Sequence, residues 1–326
     1  MSVELIQGLL LAFAVVMILM PAYIRLLRAA GMGKQISVEG PEAHLSKGGT
    51  PTMGGLLLII VVLGIFLLIR GFPRGGIIAP LLTLFLVGLL GAVDDYLNAR
   101  TGEGISARQK MLWLVVVGVV TAFQIQTTYD IQTLFVPFVG DVPIAPWVYT
   151  AFAAFAIIAA ANGVNLTDGL DGLAAGTLVF AFVAYLLIAL LNEPIQPNLA
   201  FLCALIIGAL LGFLWFNVHP AQVFMGDSGS LALGAALAVT ALITSQILLL
   251  PLIGLVFVIE TGSVVIQRVY FRVTHGKRLF RFTPLHHHFE LLGWDEEKIT
   301  LRFWIFGIIV GLIGVTLFLA TINKLT

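Results

Sequence analysis

Ten continuous apolar runs, each about 20 residues and so long enough to cross a bilayer as a helix, divide the 326-residue chain. They lie near positions 3–24, 52–69, 77–96, 110–126, 147–166, 173–191, 198–216, 229–249, 252–272 and 301–321. Apolar residues fill these runs without alternating with polar ones. The pattern therefore predicts helices and excludes a transmembrane barrel. The stretch 127–146 alternates and then turns, the pattern of a small β-hairpin. The first run, Leu5 to Met20, has no basic residue before it and leads into Pro21, Tyr23, Arg25 and Arg28. It reads as a retained helix rather than a processed leader. The expected fold is an all-α integral membrane protein with ten transmembrane helices, one polytopic membrane domain over residues 1–326. No clear inverted repeat appears, which disfavours a secondary transporter.

Composition agrees with the lipid setting. The chain is 60% hydrophobic and 10% charged, where a soluble domain carries about 25% charged residues. Formal net charge is zero, so no basic field points to a nucleic-acid partner. Cys203 is the only cysteine and stands inside an apolar run, where packing explains it.

Lys and Arg fix the orientation. Fourteen of the 17 fall on one set of loops: Arg25, Arg28, Lys34, Lys47, Arg100, Arg108, Lys110, Arg268, Arg272, Lys277, Arg278, Arg281, Lys298 and Arg302. Arg70, Arg74 and Lys324 fall on the other. The crowded face is cytoplasmic by the positive-inside rule. An even number of crossings then puts both termini, and the hairpin, on the periplasmic side.

Five polar constellations interrupt the apolar pattern. His44 to Gly55 is glycine-rich and carries Lys47, Thr50 and Thr52, which suits a phosphate or nucleotide. A helix start, with Thr50 as cap, Pro51 in the first turn and Lys47 as an interfacial anchor, explains the segment slightly better when it stands alone. Asp94 and Asp95 close an apolar run, and two carboxylates there are costly unless neutralised. A membrane-boundary mark, or pairing with Arg100 or Lys110, is the alternative. Asn162, Asn165, Asp168 and Asp171 recur at intervals of three, so on a helical turn each like pair would share a face. Their oxygens are hard donors suited to Mg²⁺, and a helix cap explains only one of them. Asn217 and His219 precede Phe224, Gly226 and Asp227. Asp227 reads as either an N-cap or a ligand, and Phe224 as packing or a stacking surface. The fifth is the basic loop from Arg268 to Arg281 with His286, His287 and His288. Adjacent histidines do not all point one way, so phosphate or sugar contacts fit better than Zn²⁺. Anionic lipid headgroups are the alternative for the basic residues. All five fall on the cytoplasmic face, where they predict an active site.

These motifs, in order, resemble the polyprenyl-phosphate N-acetylhexosamine-1-phosphate transferase superfamily over essentially the whole chain. The carrying stretches are Thr-Pro-Thr-Met-Gly-Gly, Asp-Asp-Tyr, Asn-Leu-Thr-Asp-Gly-Leu-Asp-Gly-Leu and Met-Gly-Asp-Ser-Gly-Ser. Pro-Leu-His-His-His-Phe-Glu, at 284–290, resembles the phospho-N-acetylmuramoyl-pentapeptide transferase branch. The resemblance implies a multi-pass enzyme of the bacterial inner membrane. It would use Mg²⁺, with undecaprenyl phosphate and UDP-MurNAc-pentapeptide as substrates and lipid I and UMP as products. It implies Asp227 as the metal ligand, Asp94 as a base or lipid-phosphate-orienting group, and Asp95 as support of the acidic site. Asn165, Asp168 and Asp171, with Asn162, would hold the nucleotide–metal assembly. Lys47, Thr52, Asn217, Phe224 and Gln267 would surround the uridine. Lys110 and His286 would stand near phosphates, with His287 and His288 completing the motif. A homodimer is open to such a chain. The related GlcNAc-1-phosphate transferases are the alternative within the superfamily. A cation-coupled transporter and a structural membrane scaffold are the alternatives outside it.

Overall fold

The computed structural model describes residues 2–33 and 47–325. Lys34 and the residues His44, Leu45 and Ser46 of the glycine-rich loop lie outside the described residues. The described chain forms twelve α-helices and one hairpin. The helices are α1 (Ser2–Ala29), α2 (Gly54–Arg70), α3 (Ile78–Thr101), α4 (Ala107–Thr128), α5 (Pro146–Thr167) and α6 (Leu173–Leu191). They continue with α7 (Pro197–Asn217), α8 (Gly226–Ile243), α9 (Leu250–Ile253), α10 (Leu255–Val273), α11 (Leu285–Glu290) and α12 (Glu296–Leu325). Strands β1 (Thr133–Val136) and β2 (Gly140–Pro143) pair antiparallel with Thr133 opposite Pro143.

Among the described residues, eight helices are long and apolar enough to cross a membrane. A ninth crossing is available if α9 and α10 count together, although that pair bends by 78° at its break. The single run expected at 252–272 is therefore two pieces, with Gly254 at the break. α2, at 17 residues, is shorter. The bundle buries α7 and α8 most deeply, each to 89% of its apolar window. Large apolar side chains such as Ile18, Leu68, Phe123, Phe155 and Trp215 point outward, as lipid contact requires.

Small residues let α8 sit this deep. A Cβ on Gly55 of α2 would collide with Gly229, and one on Gly91 of α3 with the backbone of Asp227 and Ser228. Close backbone approach of this kind is how helices pack where lipid removes the hydrophobic drive between them.

Local signals set the helix ends. Ser106 and Gln109 form a capping box at the start of α4, and Gly102 ends α3 with a φ of 77°. α2 has no side-chain cap. Instead the N–H groups of Gly54 and Gly55 donate to the carbonyls of Phe224 (2.8 Å) and Met225 (2.9 Å) in the loop before α8. That exchange draws together two of the polar constellations. α3, α5 and α7 end, and α2, α4, α6, α8 and α12 begin, at the same end of the bundle. The hairpin, joining the end of α4 to the start of α5, lies at the other.

The Gly91 contact gives a direct test. Gly91→Val should force α3 off α8, and overpacking of this kind costs about 1–3 kcal/mol. Thermal unfolding in detergent should shift clearly downward, and an unchanged midpoint would contradict the close α3–α8 approach.

Candidate active site

Where these helix ends meet there is a cavity of about 250 Å³. Its walls include Lys47, Thr52, Asp94, Asp95, Asn98, Asn165, Asp168, Asp171, Asn217, Phe224 and Asp227. Four of the five constellations thus share one wall set, although they are spread over 180 residues of sequence.

Asp94 and Asp227 come from the end of α3 and the start of α8. Lys110, in the first turn of α4, donates to Asp94 Oδ2 (2.9 Å) and to Asp227 Oδ2 (2.5 Å). One ammonium thus bridges both carboxylates. The remaining oxygens are held too. Asp94 Oδ1 accepts from the Ile105 N–H (2.7 Å), and Asp227 Oδ1 from Asn165 Nδ2 (2.7 Å). Asn165 also donates to Ser230 Oγ (2.9 Å).

Asp95 plays the part that sequence reasoning offered to Asp227. Its carboxylate accepts from the N–H groups of Asp227 (3.0 Å) and Ser228 (3.1 Å), so it caps α8 from another helix. Asp227 is inside the first turn, with its side chain free to face Lys110. Negative charge is favoured at that helix end by the dipole and the open N–H groups.

The segment from Asp168 to Gly172 is a turn between α5 and α6 rather than a continuing helix. Asp168 and Asp171 therefore do not share a helical face, yet both line the cavity. Asp171 Oδ1 accepts from Lys47 Nζ (2.8 Å), and Oδ2 from the Ala221 N–H (3.0 Å). Asn217 pins the same turn by accepting from the Gly172 N–H (3.1 Å) and donating to the Val223 carbonyl (2.9 Å). Asn162 stands apart, since its amide donates to Ile158 O (2.8 Å) within α5.

The three histidines diverge. His286 is fully buried, and its Nδ1 lies 3.0 Å from Glu260 Oε2. Among the described residues its Nε2 has no hydrogen-bond partner, and it abuts Gly169, in the turn that walls the cavity. His287 pairs with Glu290 and meets Phe282 edge-on, and His288 Nδ1 accepts from the Arg281 N–H (3.1 Å). Gln267 lies in a separate cleft of about 360 Å³ with Arg268, Arg272, Arg278 and Arg281, and holds the Leu279 and Phe280 N–H groups. The histidine run thus touches both sides, His286 against Gly169 of the acidic cavity and His287 and His288 against Phe282 and Arg281 of a basic, aromatic cleft.

Two carboxylate groupings could hold a cation. Asp94 and Asp227 converge with oxygen donors only. Asp171, His219 and Glu296 bring one ligand atom each to within 4.8 Å of one another. A lysine bridges each grouping, Lys47 between Asp171 and Glu296 (2.8 and 2.6 Å) and Lys110 between Asp94 and Asp227, so the ligand atoms decide, and an imidazole suits Mg²⁺ less than oxygen does. The Asp94–Asp227 pair is the better fit for that ion. Glu260 and Glu296 were not singled out from sequence. An acid inside the apolar run of α10 is a signal that could have found Glu260. Glu296 reads simply as a helix-start acid.

A family model described as glycosyl transferase family 4 matches residues 77–245. A phospho-N-acetylmuramoyl-pentapeptide-transferase of Desulfotalea psychrophila is 44% identical over 322 residues, covering 93% of this chain and 89% of that protein. Proteins with the same name from Syntrophus aciditrophicus and a Geobacillus species are 42% and 41% identical. They cover 94% and 95% of this chain, and 90% and 97% of their own lengths.

The cap supplied by Asp95 can be measured. Asp95→Ala should lower stability by about 1–2 kcal/mol, as loss of a helix cap does. Asp95→Asn, which keeps one acceptor oxygen, should lose less. Equal melting of both variants and the parent would remove Asp95 from this role.

Proposed function

The chain belongs to the phospho-N-acetylmuramoyl-pentapeptide transferases of glycosyl transferase family 4, and from that premise we propose its reaction in full. It transfers phospho-MurNAc-pentapeptide from UDP-MurNAc-pentapeptide to undecaprenyl phosphate in the bacterial inner membrane, as a step of peptidoglycan synthesis. An oxygen of the lipid phosphate bonds to the sugar-bearing β-phosphorus. The bond from that phosphorus to the bridging oxygen breaks, UMP leaves, and lipid I remains. The topology is ten crossings, with α2 and the α9–α10 pair included, both termini and the hairpin periplasmic, and the cavity cytoplasmic.

The observation that carries this reading is the meeting of Asp94, Asp227 and Lys110 with Lys47 and Asp171 in one cavity. Phosphoryl transfer needs alignment and charge neutralisation more than covalent chemistry. Lys110 and Lys47 supply fixed positive charge, and Asn165 holds Asp227 in place. Mg²⁺, held by Asp227 with Asp94 beside it, would neutralise charge on the diphosphate and on the departing phosphate. Phe224, Thr52 and Asn217 form the wall nearest the α2 start, where the uridine fits. Gln267, His287 and His288 serve the sugar side. Against α5 and α10 runs an apolar cleft of about 450 Å³, lined by Phe152, Phe155, Phe257 and Val265, that suits a prenyl chain.

Asp94 acts as an orienting group rather than a strong base. Both of its oxygens already accept hydrogen bonds, from Ile105 and Lys110. The lipid phosphate needs little deprotonation, because the second pKa of a phosphate monoester is about 6. His286, held by Glu260, steadies the turn carrying Asp168.

The test is one assay of UMP release from purified protein, Mg²⁺, undecaprenyl phosphate and UDP-MurNAc-pentapeptide. Chelation should stop it and Mg²⁺ should restore it. UMP from UDP-GlcNAc instead would favour the GlcNAc-1-phosphate reading, and none from either donor would return the transporter. Asp94→Asn should cut turnover by about 100-fold, the scale of a misplaced reacting group, with donor affinity nearly unchanged. Asp227→Asn should abolish the response to Mg²⁺.

A further inference from the structure

Glu296 opens α12, far from the aspartates in sequence, yet one of its oxygens joins two cavity elements. Glu296 Oε1 accepts from Lys47 Nζ (2.6 Å) and from the Asp171 N–H (2.6 Å). Lys47 and Asp171 line the cavity, and Glu296 does not. It stands behind them, with a side chain only 11% exposed. Its second oxygen is 3.4 Å from His219 Nδ1, which also lies 3.0 Å from Asp171 Oδ2. Four segments distant in sequence therefore meet at this carboxylate.

Lysine carries three N–H donors. Asp171 and Glu296 take two from Lys47, which fixes the direction of the third. Without Glu296 the long lysine chain would regain rotamer freedom, and the Asp171 N–H would lose its acceptor. Ordering both groups again on each binding event costs affinity.

We infer that Glu296 is a positioning residue for the donor nucleotide, acting by locking Lys47 and the Asp168–Asp171 turn into their binding arrangement. The inference rests on the reading of the cavity as the UDP-sugar site. Glu296 touches neither the Asp94–Asp227 pair nor the lipid cleft, so its effect falls on the donor and leaves the carrier lipid alone.

The experiment measures KM and kcat for UDP-MurNAc-pentapeptide, and KM for undecaprenyl phosphate, in Glu296→Ala, Glu296→Gln and the parent enzyme. Glu296→Ala should raise the donor KM by roughly tenfold, the scale of one lost hydrogen bond to a charged group. Its kcat and lipid KM should change by less than about threefold on the same scale. Glu296→Gln keeps an oxygen for the Asp171 N–H and should recover part of the loss. It also carries the test if the alanine variant does not fold. In a Lys47→Ala background, Glu296→Ala should cost clearly less than in the parent, because only its hold on the Asp171 N–H is left to lose. An unchanged donor KM, a fall in kcat alone, or an equal effect with and without Lys47 would overturn the inference. A parent enzyme that releases no UMP from this donor would instead overturn the functional reading.

Discussion

A carboxylate at the end of a membrane-embedded helix is tolerated only with a cation or several donors beside it. That constraint organises this molecule. Five aspartates line one cavity, and two lysines from separate parts of the chain, one before α2 and one in the first turn of α4, are spread across them. Lys110 spans Asp94 and Asp227, and Lys47 spans Asp171 and Glu296. Removing either lysine would leave two acids facing each other in a poorly solvated site. The acids outnumber the lysines, and a diphosphate donor brings more negative charge. A site of this balance has a chemical reason to require a divalent cation when its substrate arrives, which is the role the proposed function gives to Mg²⁺.

The fold supplies the close approach that this charge arrangement needs. Asp95 can cap α8 only because Gly91, one turn earlier on α3, lets the two backbones touch. Gly55 does the same between α2 and α8, and the carbonyls of Phe224 and Met225 complete the start of α2. Side chains at these glycines would separate the helices by more than a hydrogen bond can follow. Packing and electrostatics therefore rest on the same contacts, and the acidic centre cannot be loosened without opening the core of the bundle.

Much of this was legible in the sequence. Continuous apolar runs declared the helices, and the density of oxygen donors from Asn162 to Asp171 pointed to a stretch of which Asn165, Asp168 and Asp171 reach the cavity. The partners were less legible because they are remote. Lys47 meets Asp171 across 124 positions, and Glu296 meets the same turn across 125. Local rules offered Asp227 as its own helix cap, and the cap came instead from Asp95, 132 residues away. Hydropathy averages over the break at Gly254, so the 78° bend between α9 and α10 was not legible in it. Interval-of-three spacing suggested a shared helical face for Asp168 and Asp171, but the helix ends at Thr167 and a turn delivers both. The divergence of the three histidines followed from their adjacency, whereas the pairing of Glu260 with His286 required the fold.

The arrangement also bears on how such a site reaches its rate. Each lysine has two of its three donors committed before any ligand binds, and Asp94 and Asp227 have both oxygens engaged. The charged groups have therefore lost their rotational freedom during folding rather than during the reaction. Groups fixed in advance stabilise developing charge without the reorganisation that water would need. The free energy that fixes them comes from helix packing, since the bonds that aim the lysines run between segments held together by α8 and α12. An enzyme whose chemistry is mostly alignment can thus place its control over alignment in residues that never meet the substrate.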